Sequence, residues 1–438
     1  MKDFSMASHT EQSMPQLHIS HARIVEPGMD VQQVESTQRP TKAGAGAEVK
    51  PVSPAKSTRL FFVDHLRAFL IILVIMHHLA ITYGAIGSWY YHDTTNSLTA
   101  HLLSLLVMTD QAFFMGLFFL ISAYFTPGAY DRKGTGPFLR DRFLRLGIPL
   151  LIYDLLVEPF VMFLVVGFTG SYWTFYSNYV LSLRGIGQGP VWFIELLLIF
   201  VVFYALWRVL YAKWSHAHPR EKTTTRSINS APAHSYPATG ELILFIVGLA
   251  LITFVVRIWF PLNWVFKPLN FMFAEFPQYI SLFIVGLIAY RRKWFTNIPD
   301  AVGRRWLWVA LINLVFLVFI GLMMSSAKNI AYGEGGLHWQ ALVYSFWEAI
   351  MCVSLCIGLL VFFRKHFNLP GRVWSFFSDN AYAAYIFHPP ILIGIAYGLH
   401  MFTFYPLLKY GIAVVIAVPC CFALGALIRQ IPYAKKIF

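Results

Sequence analysis

Charge is what this chain has least of. Asp, Glu, Lys and Arg make up 13% of its 438 residues, where a soluble domain carries about 25%. With 57% hydrophobic residues, that scarcity excludes a soluble globular protein and puts the chain in a lipid bilayer. Cysteine is also sparse. Cys352, Cys356, Cys420 and Cys421 all fall inside apolar runs, which excludes a disulfide framework and a cysteine metal site and reads as small buried hydrophobes. No metal is expected. No basic run is interleaved with aromatics, so the +13 net charge does not point to nucleic acid. In a membrane protein, basic excess marks cytoplasmic loops facing anionic lipid. No fixed-period repeat is present. Residues 1–57 lack the continuous apolar core of a signal peptide and read as a disordered cytoplasmic tail. His9, His18 and His21 in that tail match no ligand spacing.

What is present is a series of apolar segments long enough to cross a membrane as helices, which takes about 20 residues each. Ten are expected, at 60–84, 104–126, 145–168, 190–211, 241–260, 276–290, 305–324, 339–363, 379–400 and 406–428. The sixth is short enough to suggest a partly re-entrant segment. The loops alternate between basic and bare. Arg132, Lys133, Arg140, Arg142 and Arg145 sit in 127–147, and Arg291, Arg292, Lys293, Arg304 and Arg305 in 291–305. The loop 85–103 carries no Lys or Arg, 169–189 carries only Arg184, and 257–275 has Arg257 and Lys267. The alternation predicts an all-α polytopic bundle with both termini in the cytoplasm. One transmembrane domain spans 58–430, and 431–438 forms a short tail. A polar cytoplasmic linker at 212–240 divides the bundle into a four-helix and a six-helix half.

The first segment, RLFFVDHLRAFLIILVIMHHLAITYG, carries polar groups an anchor does not need. A charge at membrane depth costs about 3 kcal/mol even on a lenient scale. Arg67 and His78 are eleven positions apart, which puts them about 20° apart on one helix face and about 16 Å apart along the axis. Asp64 lies within about 40° of His78, whereas His77 points roughly 80° away. Asp110, Asp154, Glu158, Glu195, Glu348 and His388 are further polar residues inside apolar segments. Each has an ordinary reading as a paired group that only holds helices together. A histidine, however, titrates near neutral pH and can take a proton from a hydroxyl. A carboxylate such as Glu195 or Asp110 is a candidate to orient His78. Tyr382, Tyr385 and His388 recur at three-residue steps, and Pro389-Pro390 is expected to break the ninth helix. Arg142 and Arg145, spaced i,i+3 at the mouth of the third helix, fit either the positive-inside rule or a fork that grips phosphate.

These residues resemble the acyltransferase-3 family of membrane acyltransferases, with the branch containing glucan succinyltransferases the nearest likeness. Four elements carry the resemblance, in order, across about residues 59–430. They are Arg67 with His78 after ten residues, Arg142-x-x-Arg145, GPVWFIE with Trp192 and Glu195, and NAYAAYIFH with Tyr385 and His388. Ala381 stands where the family commonly has serine. The resemblance implies acyl transfer, of acetyl or succinyl type, from cytoplasmic acyl-CoA to a hydroxyl of an acceptor on the far side, expected to be a glycan. It implies Arg142 and Arg145 at the CoA phosphates, Arg67 at the donor, and His78 as the catalytic residue. Trp192, Tyr385 and His388 are then expected at the substrates, and Glu195 and Asp110 beside His78. Acyl-CoA is the donor substrate, and no permanently bound cofactor is expected. The expected location is a bacterial inner or plasma membrane. The rival reading is a secondary transporter of a small polar or anionic solute, since buried charge and a broken helix also suit a substrate pathway.

Overall fold

The computed structural model of the protein describes residues 59–182, 189–217, 236–267, 269–323 and 327–438. The expected tail at 1–57, Arg184 and the middle of the 212–240 linker lie outside these. Among the described residues there is no strand, and ten helical runs are long and apolar enough to cross a membrane. They are α1 Phe61–Thr82, α2 Ser97–Lys133, α3 Thr135–Val166, α4 Gly189–Ser215, α5 Thr239–Trp259, α6 Phe273–Arg292, α7 Asp300–Leu322, α8 Trp339–His366, α9 Arg372–His400 and α10 Pro406–Ile428. Each expected span has its counterpart, and the sixth is a full continuous helix.

The central element is α1, which touches α2, α8, α9 and α10. Many of its apolar side chains, among them Leu66, Leu70, Ile75 and Leu79, are fully enclosed, while Phe69, Ile72 and Leu73 are partly so. Its polar stripe therefore faces protein and not lipid. The periphery is the reverse, with Leu244 of α5, Ile312 of α7 and Val415 of α10 presented outward.

Two local devices position the site. Asn96 caps α2 by accepting from the Thr99 N–H at 2.9 Å, which satisfies a donor that the first helical turn leaves open. At the other end of α2, Gly134 alone separates Lys133 from Thr135, and its φ of +73° turns the chain where a side chain would be strained. An ion pair of 3.1 Å between Lys133 and Asp141 closes the elbow. It sets Arg142 and Arg145 at the start of α3, where π-helical turns run over Phe143–Gly147 and Tyr153–Val157. Extra residues of this kind inside a helix are often found at functional sites.

Four expectations are corrected. The linker does not divide the bundle into two packing halves: α2 packs most extensively on α6, and α1 on α9. At the α2–α6 contact, a Cβ on Gly286 would collide with the backbone carbonyl of Leu120. Arg257 is not a loop residue but the last turn of α5, fully enclosed, with Glu348 at 2.7 Å and Glu275 at 3.0 Å. Glu348 thus has the ordinary paired role. Cys420 is exposed, although the other three cysteines are buried.

The fourth correction concerns α9, which runs unbroken through Pro389 and Pro390. A proline removes the N–H that would bond to the carbonyl four residues back. Two in succession leave the Tyr385 carbonyl with neither an i+4 nor an i+5 donor. The His388 ring supplies the missing one, its Nδ1 lying 2.7 Å from that oxygen. A side chain that repairs the ladder lets the helix continue.

Candidate functional site

The polar groups of α1 fall into two poles. At the N-terminal pole, Arg67 lies 3.7 Å from Asp64 and over the ring of Phe125 at 5.0 Å. Its side chain keeps 37% of its surface although α1 is surrounded by other helices. It is therefore not closed off by protein at this end of α1. Arg142 lies within electrostatic reach of Asp141, Arg145 and Arg67, which puts the three guanidiniums in one basic region. Arg142 rests on Phe138 at 5.3 Å and leaves its buried Nε without a partner. Arg145 is exposed and pairs with Asp141 at 3.3 Å. The Tyr382 hydroxyl donates to the Arg145 carbonyl at 2.7 Å, tying α9 to the π turn. Asp64 and Asp141 answer part of this charge but are shared with Arg59 and Lys133, and the remaining excess of cations favours an anionic ligand such as phosphate.

At the opposite pole the two adjacent histidines part company, as their helical phase requires. His77 turns to α2, where its Nδ1 is 3.8 Å from Asp110 and its ring lies on Phe114. His78 turns to α9, with its ring 5.3 Å from that of His388 and 15° from parallel. Asp110 is therefore the neighbour of His77 and not the orienting partner expected for His78. No hydrogen bond or ion pair joins Glu195 to His78 among the described residues either. Glu195 lies within repelling distance of Asp154 and has a buried oxygen without a partner.

The chemistry of His388 follows from its role in the helix. A carbonyl only accepts, so the nitrogen facing Tyr385 must carry the hydrogen. In the neutral ring Nε2 is then a bare acceptor. It is buried and has no protein partner. The Nδ1 of His78 is likewise buried and unpartnered. Buried polar atoms are nearly always satisfied, so two such atoms on neighbouring rings make this a candidate place for a substrate. The Tyr385 hydroxyl is engaged, donating to the carbonyl of Pro190. That bond locks the start of α4, with Trp192 stacked on Tyr279 at 5.5 Å. Tyr385 thus shapes the wall and offers no free hydroxyl.

The neighbouring start of α4 is fitted closely. Gly189 has φ +66°, and a Cβ there would strike Tyr90 and Tyr153. Those tyrosines share a 2.9 Å hydrogen bond, Tyr90 also donates to Glu158, and Tyr179 reaches Glu158 at 3.4 Å. The glycine of GPVWFIE is thus required for close approach.

The chain matches the family model described as "Acyltransferase domain" over residues 60–426, which covers all ten spans except the last two residues of α10. The chain belongs to this acyltransferase family. It is similar to the glucans biosynthesis protein C of Salmonella paratyphi A and of Salmonella agona, at 27% identity over 354 residues, 78% of this chain and 84% of each relative. The Salmonella heidelberg protein of the same name matches equally. No solved structure matches. As a member of this family the protein is a multi-pass membrane acyltransferase, and the transporter reading loses its ground.

Two groups of site residues escaped the sequence. Trp89, in the connection between α1 and α2, stacks on His78 at 3.8 Å. Asp93, in the same connection, is enclosed between Lys409 of α10 and His400 of α9. A lysine inside the apolar run 406–428 was the one available signal for the second. Nothing local announces the first.

Proposed function

We propose that the protein transfers an acyl group, of acetyl or succinyl type, from acyl-CoA in the cytoplasm to a hydroxyl of a glycan on the other side of a bacterial inner or plasma membrane. Both termini lie in the cytoplasm in this reading. One observation carries it: a cationic cluster of Arg67, Arg142 and Arg145 stands at one end of the α1 stripe, and the unpartnered His78–His388 pair at the other. The separation of about 16 Å suits the reach of a pantetheine arm. Phosphates held at the arginines would thus deliver a thioester to the histidines. The glycan acceptor is supported by the relatives named for glucan biosynthesis.

In the reaction His78 takes the proton of the acceptor hydroxyl as its oxygen attacks the thioester carbonyl. The carbon–sulfur bond breaks, an ester forms, and the proton passes to the departing thiolate to give free CoA. A positioned base contributes about 10²–10⁴-fold to such a step. His388, with Nε2 as acceptor, lies beside the reacting groups.

The test is a reconstitution. Vesicles holding the purified protein receive acyl-labelled CoA on the Arg67 side and an oligosaccharide acceptor on the other. Label is expected on the oligosaccharide, with one CoA released per ester formed. Cell-envelope glycans of a deletion strain are expected to lack the same acyl mass. Solute uptake without any consumption of acyl-CoA would sink the proposal.

A further inference from the structure

A histidine acting as a base is usually held by a hydrogen bond from its second ring nitrogen to a carboxylate or carbonyl. His78 has no such bond among the described residues: its Nδ1 is buried without a partner, and no hydrogen bond reaches its other ring nitrogen. Another force must fix its ring, and the α1–α2 connection supplies it. Trp89 lies nearly parallel to His78, at 3.8 Å and 17°. It is also nearly parallel to His388, at 5.9 Å and 9°. The three rings are nearly parallel, with His388 beside the Trp89–His78 stack, and the Trp89 indole nitrogen is itself buried without an acceptor. Aromatic stacking is weak, so it orients a ring only if the stacking partner is immobile.

The connection is pinned at several points. The Asp93 N–H donates to the Thr82 carbonyl at 2.8 Å, and the Thr95 hydroxyl to the Tyr83 carbonyl at 2.9 Å. Tyr90 is tied to Tyr153 and Glu158. Most decisively, the Asp93 carboxylate is fully enclosed. It accepts from Lys409 Nζ at 2.8 Å on one oxygen, and from His400 Nδ1 at 2.9 Å and the Thr94 N–H at 2.8 Å on the other. Lys409 is itself buried, so the pair is shielded from solvent screening and grips firmly.

We propose that Trp89 is a positioning residue that sets the plane of the His78 ring by stacking, and that the Asp93–Lys409–His400 cluster holds Trp89 in place. This rests on the assignment of His78 as the base, and it predicts that the cluster acts on the reaction without touching it.

The test uses the full chain in vesicles and two readouts. The first is acyl transfer. Trp89→Ala should lower kcat on the order of 10²-fold, the scale expected for loss of alignment, with the KM for acyl-CoA unchanged. Trp89→Phe, which keeps a ring, should recover most of that loss. Asp93→Asn should fall between them. The second readout is independent of activity: the rate at which diethyl pyrocarbonate modifies His78, read by mass spectrometry against the exposed His101. Trp89→Ala and Asp93→Asn should both speed His78 modification while leaving His101 unchanged. If Trp89→Ala leaves both the His78 modification rate and kcat at wild-type values, the proposal is overturned. The modification readout stands even if the wild type transfers no acyl group, a result that would overturn the functional assignment alone.

Discussion

The α1–α2 connection contacts two polar clusters that treat their atoms in opposite ways. Around Asp93 every carboxylate oxygen has a donor, and the partners come from α9, α10 and the loop itself. Around His78, four residues earlier in the connection, Trp89 brings a third unpartnered ring nitrogen to the two on His78 and His388. The first arrangement is what stability asks for, since an unmet buried polar group costs about 1–3 kcal/mol. The second suits a place where a substrate meets those atoms. The Arg257 cluster lies between the two: a buried guanidinium is paired with two carboxylates, while its Nε and Nη1 and one oxygen each of Glu275 and Glu348 have no partner.

Substitutions can break or sharpen this contrast. The largest effect is expected on the unanswered side. His78→Ala should reduce acyl transfer on the order of 10²–10⁴-fold and leave the melting temperature near that of the wild type. Comparable activity losses from His77→Ala and His78→Ala would erase the distinction between the two faces of α1. On the answered side the loss should appear in stability. Arg257→Met strands two buried carboxylates and should cost about 3–5 kcal/mol, seen as poor yield and a lowered thermal transition in detergent. A normal transition would show that the cluster is not structural. Gly286→Leu forces a side chain against the Leu120 carbonyl and should cost about 1–3 kcal/mol by overpacking, measured in the same melts. An unchanged melt would mean that α2 and α6 can separate freely.

The smallest effect concerns pH. Burial opposes ionisation of Asp93, but hydrogen bonds from Lys409, His400 and the Thr94 N–H outweigh it and hold its carboxyl below the ordinary value of 3.8. A carboxyl depressed by folding stabilises fully above its unfolded value and loses that contribution as pH falls through the lowered folded one. The stability gap between wild type and Asp93→Asn should therefore be constant at neutral pH and narrow below about pH 4. A gap that stays constant down to pH 3 would show that Asp93 is not ionised in the fold.

Much of the candidate site was legible in the chain, and what was missed shares one cause. Arg67, Arg142 and Arg145 do come together, and His77 and His78 do face apart, because helical phase and the α2–α3 elbow are set by nearby residues. The orienting partner of His78 was sought among carboxylates and is an indole. Trp89 in a loop carries no periodic signal, and its stack on His78 depends on how the connection folds back. Pro389-Pro390 removes donors, but the break expected from that loss does not occur. The repair by His388 was invisible because it depends on a side-chain rotamer. Arg257 was assigned to a loop because a charge at the end of an apolar run ordinarily marks the membrane boundary. Its two acidic partners lie 18 residues away in Glu275 and farther still in Glu348.

The sequence by itself determined the ten spans, the all-α class and the phase of the polar stripe on α1. Hydropathy and the 100° helical step are local quantities, readable over a few turns. Only the tertiary structure decided which polar groups answer one another. Asp93 finds Lys409 across 316 positions, and Asp110 finds His77 in place of His78. At such separations many pairings satisfy the same composition, and helix packing selects one. That selection left His78, Trp89 and His388 nearly parallel, with open ring nitrogens.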